Sequence, residues 1–472
     1  MQQSDFSFVF EDISEHGQGR IIPRRGGAEH KFGLSVGDTT LSLGGPSQFA
    51  ALAADLIDLA AAIHVADRLS GKRFERTITI HVDLPLRHAK LFQSRAIRQQ
   101  ISEVLFSYSA DWWDFNFRSR SSKRSSELQM NMPLQNTTAQ DDTEVALWSG
   151  GLDSLAGLNH RLSAYPTRRF LLVGTGSNNR ALGVQHDIAA KLRALVPYRT
   201  GLKQVPIHPA NSHFGMKNPS PRTRGFVFVL MGTAVALLEG HKELYVYENG
   251  VGAINLPYRA SEVGLDHTRS VNPISLDRTS RLLSQLLEEE FVIRNPFLGH
   301  TKAQMCEGFS VGDLAQLVSH TRSCDRMRHA WPDHCGSCSS CLLRCQALAA
   351  AGIADPTNYA TSFRTESQPS DVLHFAAMQS QAVKLTRSLD ADNPWEALSI
   401  RYPELSTIAD VMAGQNNISR ESAAEKLVKL YRTYVDEWRR VEDGLYSQLT
   451  TGGVAWPMVT QEGGRSIALW TN

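Results

Sequence analysis

Glycines 150 and 151 constrain this chain more than any other pair of residues. They stand in Val145-Ala-Leu-Trp-Ser-Gly-Gly-Leu-Asp-Ser-Leu-Ala-Gly-Leu158, which reads as a short buried strand, a tight turn and a helix. Without a Cβ at either glycine the turn can press backbone N–H groups against an anion. The helix that follows adds unpaired N–H groups and the positive end of its dipole, so a pyrophosphate can be held without a large basic cluster. Ser149 and Ser154 offer hydroxyl donors. Asp153 is placed to cap the helix, to hold Mg²⁺, or both. Neither the Walker signature ending in Gly-Lys-Ser/Thr nor the three spaced glycines of a dinucleotide site is present.

A chain of 472 residues is expected to form two or three units. Lysine plus arginine number 49 against 48 for aspartate plus glutamate, so charge alone gives no pull toward nucleic acid or an acidic membrane. The beginning of the chain has no basic stretch followed by an apolar run, and no run of about 18 uncharged apolar residues occurs, so a cytoplasmic protein is expected.

Residues 1–117 read as an N-terminal α+β domain with no visible catalytic constellation. Phe6, Phe8 and Phe10 alternate like a half-buried strand, Lys31 to Leu43 suggests further short strands, and Ile78, Ile80, Val82 and Leu84 alternate again. Leu52, Leu56, Leu59 and Ile63 share a helical face, and another helix is predicted around Phe92 to Phe106. The aromatic run Trp112 to Phe117 is read as a core strand in preference to a nucleic-acid platform. Residues 118–142, basic and serine-rich, read as a linker. From 143 to 353 strands and helices alternate: strands at Arg169–Gly174, Leu202–His208 and Glu243–Glu248, helices near Val184–Leu195 and Phe226–Gly240. That rhythm predicts a parallel sheet with ligands beyond its carboxyl ends, where Gly174–Asn178 and Glu248–Gly250 would fall. Residues 354–472 form a helical C-terminal region, with Leu427, Leu430, Tyr431, Tyr434, Trp438 and Val441 in an apolar stripe expected to be core.

Cys324, Cys335, Cys338 and Cys341 are spaced C-x10-C-x2-C-x2-C, with Gly336 in the turn. Four thiolates suit tetrahedral Zn²⁺ and leave no open position, so the metal is expected to be structural. His334 and Cys345 are possible substitute ligands; Cys306 reads as an inert buried thiol.

Ser149-Gly-Gly-Leu-Asp-Ser154 resembles the SGGxDS loop of the PP-loop ATP pyrophosphatases, which implies an adenine nucleotide alpha hydrolase-like (HUP-like) α/β fold and ATP. The nucleotide contacts are then expected from Trp148, Ser149, Gly150, Gly151, Leu152, Asp153 and Ser154, with Glu248 and Asn249. Together with the cysteine loop, residues from about Val145 to Ala350 resemble the QueC family, the 7-cyano-7-deazaguanine synthases. Pro221-Arg-Thr-Arg-Gly-Phe-Val-Phe-Val-Leu230 is similar to the family's arginine-containing helix start, and the resemblance puts Arg224 against ATP or substrate. Asn295-Pro-Phe-Leu-Gly-His-Thr-Lys-Ala303 is similar to its TPL…TKAE segment, and offers Lys302 as a catalytic residue beside Asp153. Glu248, His300 and Lys302 are the candidates for a general base.

The resemblance implies adenylation of the carboxylate of 7-carboxy-7-deazaguanine by ATP with Mg²⁺, then transfer to an amine. Two departures stand out. The family's Tyr-Pro-Asp-Cys-Arg loop is replaced by Val251-Gly-Ala-Ile-Asn-Leu-Pro-Tyr-Arg-Ala260, and the chain is about twice the family's usual length. The long form, including Leu56–Leu69, resembles the QueC-like proteins of bacterial anti-phage systems, notably the QatC group of the Qat system. Those are linked to joining the deazaguanine to a protein partner. Expected alternatives are a free nitrile synthase, a tRNA-thiolating PP-loop enzyme with a redox-active cysteine, and a nucleotide-binding scaffold without turnover.

Overall fold

The computed structural model describes residues 5–12, 17–23, 28–41, 47–71, 77–120, 123, 127, 142–210, 218, 221–258, 270–310, 313–325, 334–360 and 369–451. The chain divides into two compact units: Met1–Ser149, Thr167–Val246 and Gly264–Arg294 form one, and Gly150–Pro166, Tyr247–Val263 and Asn295–Asn472 the other.

The first unit is built on one sheet of ten strands: β1 (Phe6–Phe10), β2 (Gly17–Pro23), β3 (His30–Val36), β4 (Thr79–Leu86), β5 (Trp112–Ser119), β6 (Thr143–Leu147), β7 (Arg169–Gly176), β8 (Thr200–Ala210), β9 (Glu243–Tyr245) and β10 (Val292–Arg294). Their order is β10-β9-β6-β7-β8-β3-β2-β1-β4-β5. The five strands from β10 to β8 are parallel, as the alternation of strand and helix from residue 143 predicts. β3 then pairs antiparallel with β8, β2 with β3 and β1 with β2, while β1, β4 and β5 are parallel to one another. The strands of residues 5–119 therefore join the sheet of residues 143–294, and the boundary expected at residue 117 does not interrupt it. The joint is the length of β8, whose residues 200–206 pair with β7 and 207–210 with β3.

These pairings set the strand directions. β1, β3, β4 and β5 run opposite to β6, β7, β8, β9 and β10, so the sheet has two carboxyl edges, one for each parallel set. The helix Ala50–Leu69 connects β3 to β4 and spans about 30 Å at 1.5 Å per residue. It is buried on all sides except at Ala50, Ala51 and Arg68. Its main partner is the helix Arg224–Leu238, buried from Gly225 through Leu237. Neither helix has the single apolar stripe of a surface helix.

β5 is an edge strand with buried Trp113, Phe115 and Phe117, so these aromatics are core as expected. Its outer edge is satisfied by side chains of neighbouring helices: Ser102 Oγ and Arg98 Nη1 donate to the carbonyls of Trp113 and Phe115, and Gln93 Oε1 accepts from Phe117 N–H. An edge so occupied offers no free template for another strand. The helix predicted around Phe92 to Phe106 is two, Ala89–Gln93 and Arg95–Ser109, broken at Ser94 where ψ turns to 141°. Residues 118–120, expected to open the linker, are held by the first unit. Arg118 ends in β5 and pairs with Asp83, and Arg120 is buried against Asp58, so these two cations are engaged inside the unit. Most of the remaining linker lies outside the described residues.

The second unit is helical: Leu152–Ala164, Gly250–Ile254, Lys302–Glu307, Ser339–Ala350, Pro369–Leu389, Pro394–Arg401, Glu404–Asn416 and Arg420–Thr451, with short 3₁₀ turns between 308 and 320. The stripe from Leu427 to Val441 is buried, and the long last helix packs on Ser339–Ala350, Pro369–Leu389 and Glu404–Asn416. No described helix is long and apolar enough to cross a membrane.

Candidate active site and metal centre

β6 delivers Trp148 and Ser149 to the end of the first unit. Trp148 is wholly buried; its backbone N–H donates to Val173 O at 2.8 Å and its indole N–H to Gln185 O at 3.1 Å. The second unit opens with Gly150 at φ +73°, a left-handed conformation that favours glycine. Gly151 then caps the helix Leu152–Ala164 from an extended conformation, with no side-chain cap. Leu152 and Ser154 are buried, and Asp153 lies in the first turn. The strand, glycine turn and helix predicted from the sequence are thus all formed.

Within the second unit, Asp153 is the centre of a tight polar cluster. Its Oδ2 accepts from Lys302 Nζ at 2.6 Å and its Oδ1 from Asn249 Nδ2 at 2.9 Å; the same amide donates to Glu248 Oε1 at 2.8 Å. Four expected site residues from three distant segments therefore meet. Each is held by its own local structure. Asn249 caps Gly250–Ile254 by accepting from Gly252 N–H at 2.8 Å. Gly250 N–H donates to His300 O, and a Cβ on Gly250 would fall 2.0 Å from Leu298 O, so only glycine fits. Lys302 opens a helix whose first turn is fixed by a capping box between Thr301 and Gln304.

Electrostatics divide the cluster into unlike groups. Burial works against the Lys302 charge, but Asp153 and Glu248 outweigh it and hold the ammonium above its ordinary range. Burial and the neighbouring Asp153 carboxylate push Glu248 up to about 8, against Lys302 and the Asn249 hydrogen bonds. Near neutral pH the cluster therefore sets an ammonium at Lys302 close to a protonated carboxyl at Glu248. A buried carboxyl whose proton affinity is raised this far is a common mark of a functional site.

Of the other candidates, His300 supplies its backbone carbonyl to Gly250, and its ring packs edge-on to Phe297. Arg224 belongs to the first unit, as the opening residue of its helix, with its guanidinium 5.3 Å from the Phe228 ring centroid.

The four cysteines meet as expected. Their sulfurs lie within 4.8 Å of one another, with Cys335 and Cys341 at 3.9 Å and Cys338 and Cys324 at 4.0 Å. Zn–S bonds of about 2.3 Å in a tetrahedron place sulfurs roughly 3.8 Å apart, so this cage fits zinc. Backbone N–H groups of Cys335 and Cys338 point at the sulfurs of Cys324 and Cys335, and Gly336 turns at φ +79°. The substitute ligands are excluded: His334 Nε2 accepts from Ser323 N–H, and the buried Cys345 belongs to the following helix. Cys306 is buried, its thiol pushed up to about 12 by burial.

Sequence reasoning missed the supports of this centre. Arg344 is wholly buried and donates to Thr321 Oγ1, Thr357 Oγ1 and Val318 O, tying the segment before Cys324 to the helix that carries Cys341. Arg322 N–H donates to Gly150 O at 3.0 Å, which links that segment to the glycine turn. A lone arginine in the apolar run Cys341-Leu-Leu-Arg-Cys345 was the available signal. Glu437 was missed too. From the last helix it accepts from Thr301 Oγ1 at 2.5 Å and so holds the start of the Lys302 helix.

Burial raises the Glu437 carboxyl to about 7, against its hydrogen bonds to Thr301 and Gln346. The folded value lies above the ordinary 4.5. Between these limits the folded chain therefore binds the extra proton, and the stability it confers is complete below about pH 4.5 and lost as pH rises through 7. Glu437→Gln is expected to match wild type in thermal unfolding at pH 5 and to exceed it at pH 8, by on the order of 2 kcal/mol. Equal curves for the two proteins at pH 8 would refute the assignment.

Residues 273–352, which include Lys302, the four cysteines and Arg344, match the family model described as "Queuosine biosynthesis protein QueC". Over that stretch the chain is similar to the QueC family. A 7-cyano-7-deazaguanine synthase of Magnetococcus marinus is 29% identical over 234 residues, 46% of this chain and 96% of that protein. The 7-cyano-7-deazaguanine synthase 1 of Sulfurisphaera tokodaii is 29% identical over 224 residues, 45% of this chain and 96% of its own length. A third, from Cellvibrio japonicus, is 41% identical over 73 residues, 15% of this chain and 31% of that protein. Nearly the whole of the first two synthases thus corresponds to under half of this chain.

Proposed function

We propose that this chain is an ATP-dependent enzyme that adenylates the carboxylate of a 7-deazaguanine and passes the acyl group to an amine. The observation that carries this reading is the convergence of Lys302, Asn249 and Glu248 on Asp153 in the first turn after Gly150-Gly151. A carboxylate oxygen attacks the α-phosphorus of ATP and pyrophosphate leaves. The amine nitrogen then attacks the acyl carbon, loses its proton, and AMP leaves. Charge gathers on phosphate oxygens in the first step, where Lys302 and the helix N–H groups supply preorganised positive charge. Asp153 and Glu248 offer hard oxygen ligands of the kind Mg²⁺ takes, and the bound ion would neutralise phosphate charge. The four-cysteine cage takes Zn²⁺ and has no place in the chemistry, since all four positions are protein thiolates.

The acceptor we favour is an amine of a protein partner, in an anti-phage system, because the chain carries more than 200 residues beyond the synthase-like part. The second reading, a free nitrile synthase using ammonia, is favoured by the names of the relatives. Incubation with ATP, Mg²⁺ and 7-carboxy-7-deazaguanine is expected to release pyrophosphate. Mass spectrometry with ammonium as sole acceptor separates the readings: a nitrile product supports the synthase, an activated acid that awaits another amine supports the conjugating enzyme. No pyrophosphate under any of these conditions would sink both.

A further inference from the structure

Alternation along β5 turns Trp113, Phe115 and Phe117 inward and puts Trp112 on the other face, where it is 47% exposed. Its indole stacks on Phe106, near the end of the helix Arg95–Ser109, with ring centroids 4.4 Å apart and planes 27° from parallel. Phe106 is itself 36% exposed. A stacked pair of large aromatics held at the surface is the informative exception to burial, and it asks for an occupant.

The pair lines a groove of about 330 Å³ between that helix and the helix Pro273–Leu287, all of it within the first unit. Beneath the groove the two helices are joined: Ser107 Oγ donates to Ser275 Oγ at 3.3 Å, and the Tyr108 hydroxyl lies 3.4 Å from Thr279 Oγ1. The two helices bring opposite chemistry to it. Gln100 and Glu103, one turn apart on the first, present acceptors. Gln100 Oε1 is buried and has no hydrogen-bond partner among the described residues, and Gln99 Nε2 donates to one oxygen of the Glu103 carboxylate at 2.8 Å. Arg278 and Arg281, one turn apart on the second, present donors. Arg281 pairs with Asp277 at 2.9 Å, while the exposed Arg278 has no ion pair or hydrogen bond among the described residues.

We propose that this groove binds a guanine-type ring, a 2-amino-6-oxopurine, through residues that the proposed activity does not use. The flat bicycle stacks on the exposed indole of Trp112. Its donor edge, the N1–H and the 2-amino group, meets the acceptors of Gln100 and Glu103. Its acceptor edge, O6 and N7, meets Arg278, the pairing that a guanidinium makes with those two atoms. An adenine ring mixes a donor and an acceptor on each edge, so it would set its N1 acceptor against the acceptors of the first helix. The volume stands at the small end of the roughly 300–1,000 Å³ of small-molecule sites, which suits one ring system better than a protein helix. A strand of a partner is excluded as well, because the edge of β5 is already occupied by Gln93, Arg98 and Ser102.

Full-length protein is dialysed to equilibrium against guanosine, inosine or adenosine. Wild type is expected to hold guanosine, with adenosine about tenfold weaker or more and inosine, which lacks the 2-amino group, weaker by about fivefold, because each leaves a polar group of the site unpaired. Trp112→Ala should weaken guanosine by about tenfold through lost stacking, and Glu103→Gln by about as much through a lost acceptor. Both positions are exposed, so melting temperatures should stay near wild type. If Trp112→Ala does not fold, Glu103→Gln and Arg278→Ala carry the test. Nucleoside bound elsewhere on the chain is common to wild type and variants and cancels in the comparison. A wild type that holds guanosine no more tightly than Trp112→Ala, or adenosine as tightly as guanosine, overturns the site, and so does wild-type affinity in Glu103→Gln. The measurement needs no turnover, so its failure is distinct from failure of the activity proposed above.

Discussion

Asp153→Asn is expected to lower pyrophosphate release by at least about a hundredfold at saturating substrates while the fold is kept, because the loss falls on charge stabilisation in the transition state. The replacement keeps the shape and one acceptor for Asn249, but it removes the anion that Lys302 approaches to 2.6 Å. It also removes the carboxylate that helps to hold a proton on Glu248. Glu248 should then ionise below its present value of about 8 and take over the Lys302 ammonium. The variant therefore has a second signature: the residual activity follows a pH profile displaced to lower pH. A scaffold reading predicts neither effect, and activity within threefold of wild type would remove Asp153 from the chemistry.

The other large effect concerns the metal. Elemental analysis is expected to find one zinc per chain, and Cys338→Ser or prolonged chelation should lower the melting temperature by roughly ten degrees or more. Four thiols confined within 4.8 Å repel one another once ionised unless a cation joins them. Loss of the ion should release the segment that Arg344 ties to its helix, and with it the N–H that Arg322 donates to the glycine turn. Activity should fall with the metal even though no ligand position is open to substrate. Equal thermal stability with and without zinc would refute a structural cage.

What was legible in the sequence was whatever is written locally. The glycine turn after β6, the alternation of strands and helices from residue 143, and the Cys-x2-Cys-x2-Cys spacing each carry their geometry within a dozen residues, and each is present. Lys302 was found by resemblance, since nothing in its own neighbourhood points to Asp153, 149 residues away. The joining of β3 to β8 was not legible at all. Short β-strands carry no mark of their partner, and periodicity cannot tell a separate sheet from half of a larger one. Asp67 and His64 were hidden for a related reason. On a helix with Leu, Ile and Ala all round, buried polar residues read as sporadic, and their partners appear only once Thr223 and Ser177 stand opposite.

The helix that runs from one carboxyl edge of the sheet to the other has a practical consequence for anyone tempted to pare this protein down. Without residues 1–119 the chain would lose the helix against which Arg224–Leu238 packs, together with the strand that closes the far stretch of β8. What was interior would become a greasy flank beside a bare row of amides, an invitation to clump. The added strands and helix are thus part of the fold of the first unit and not an appendage to it.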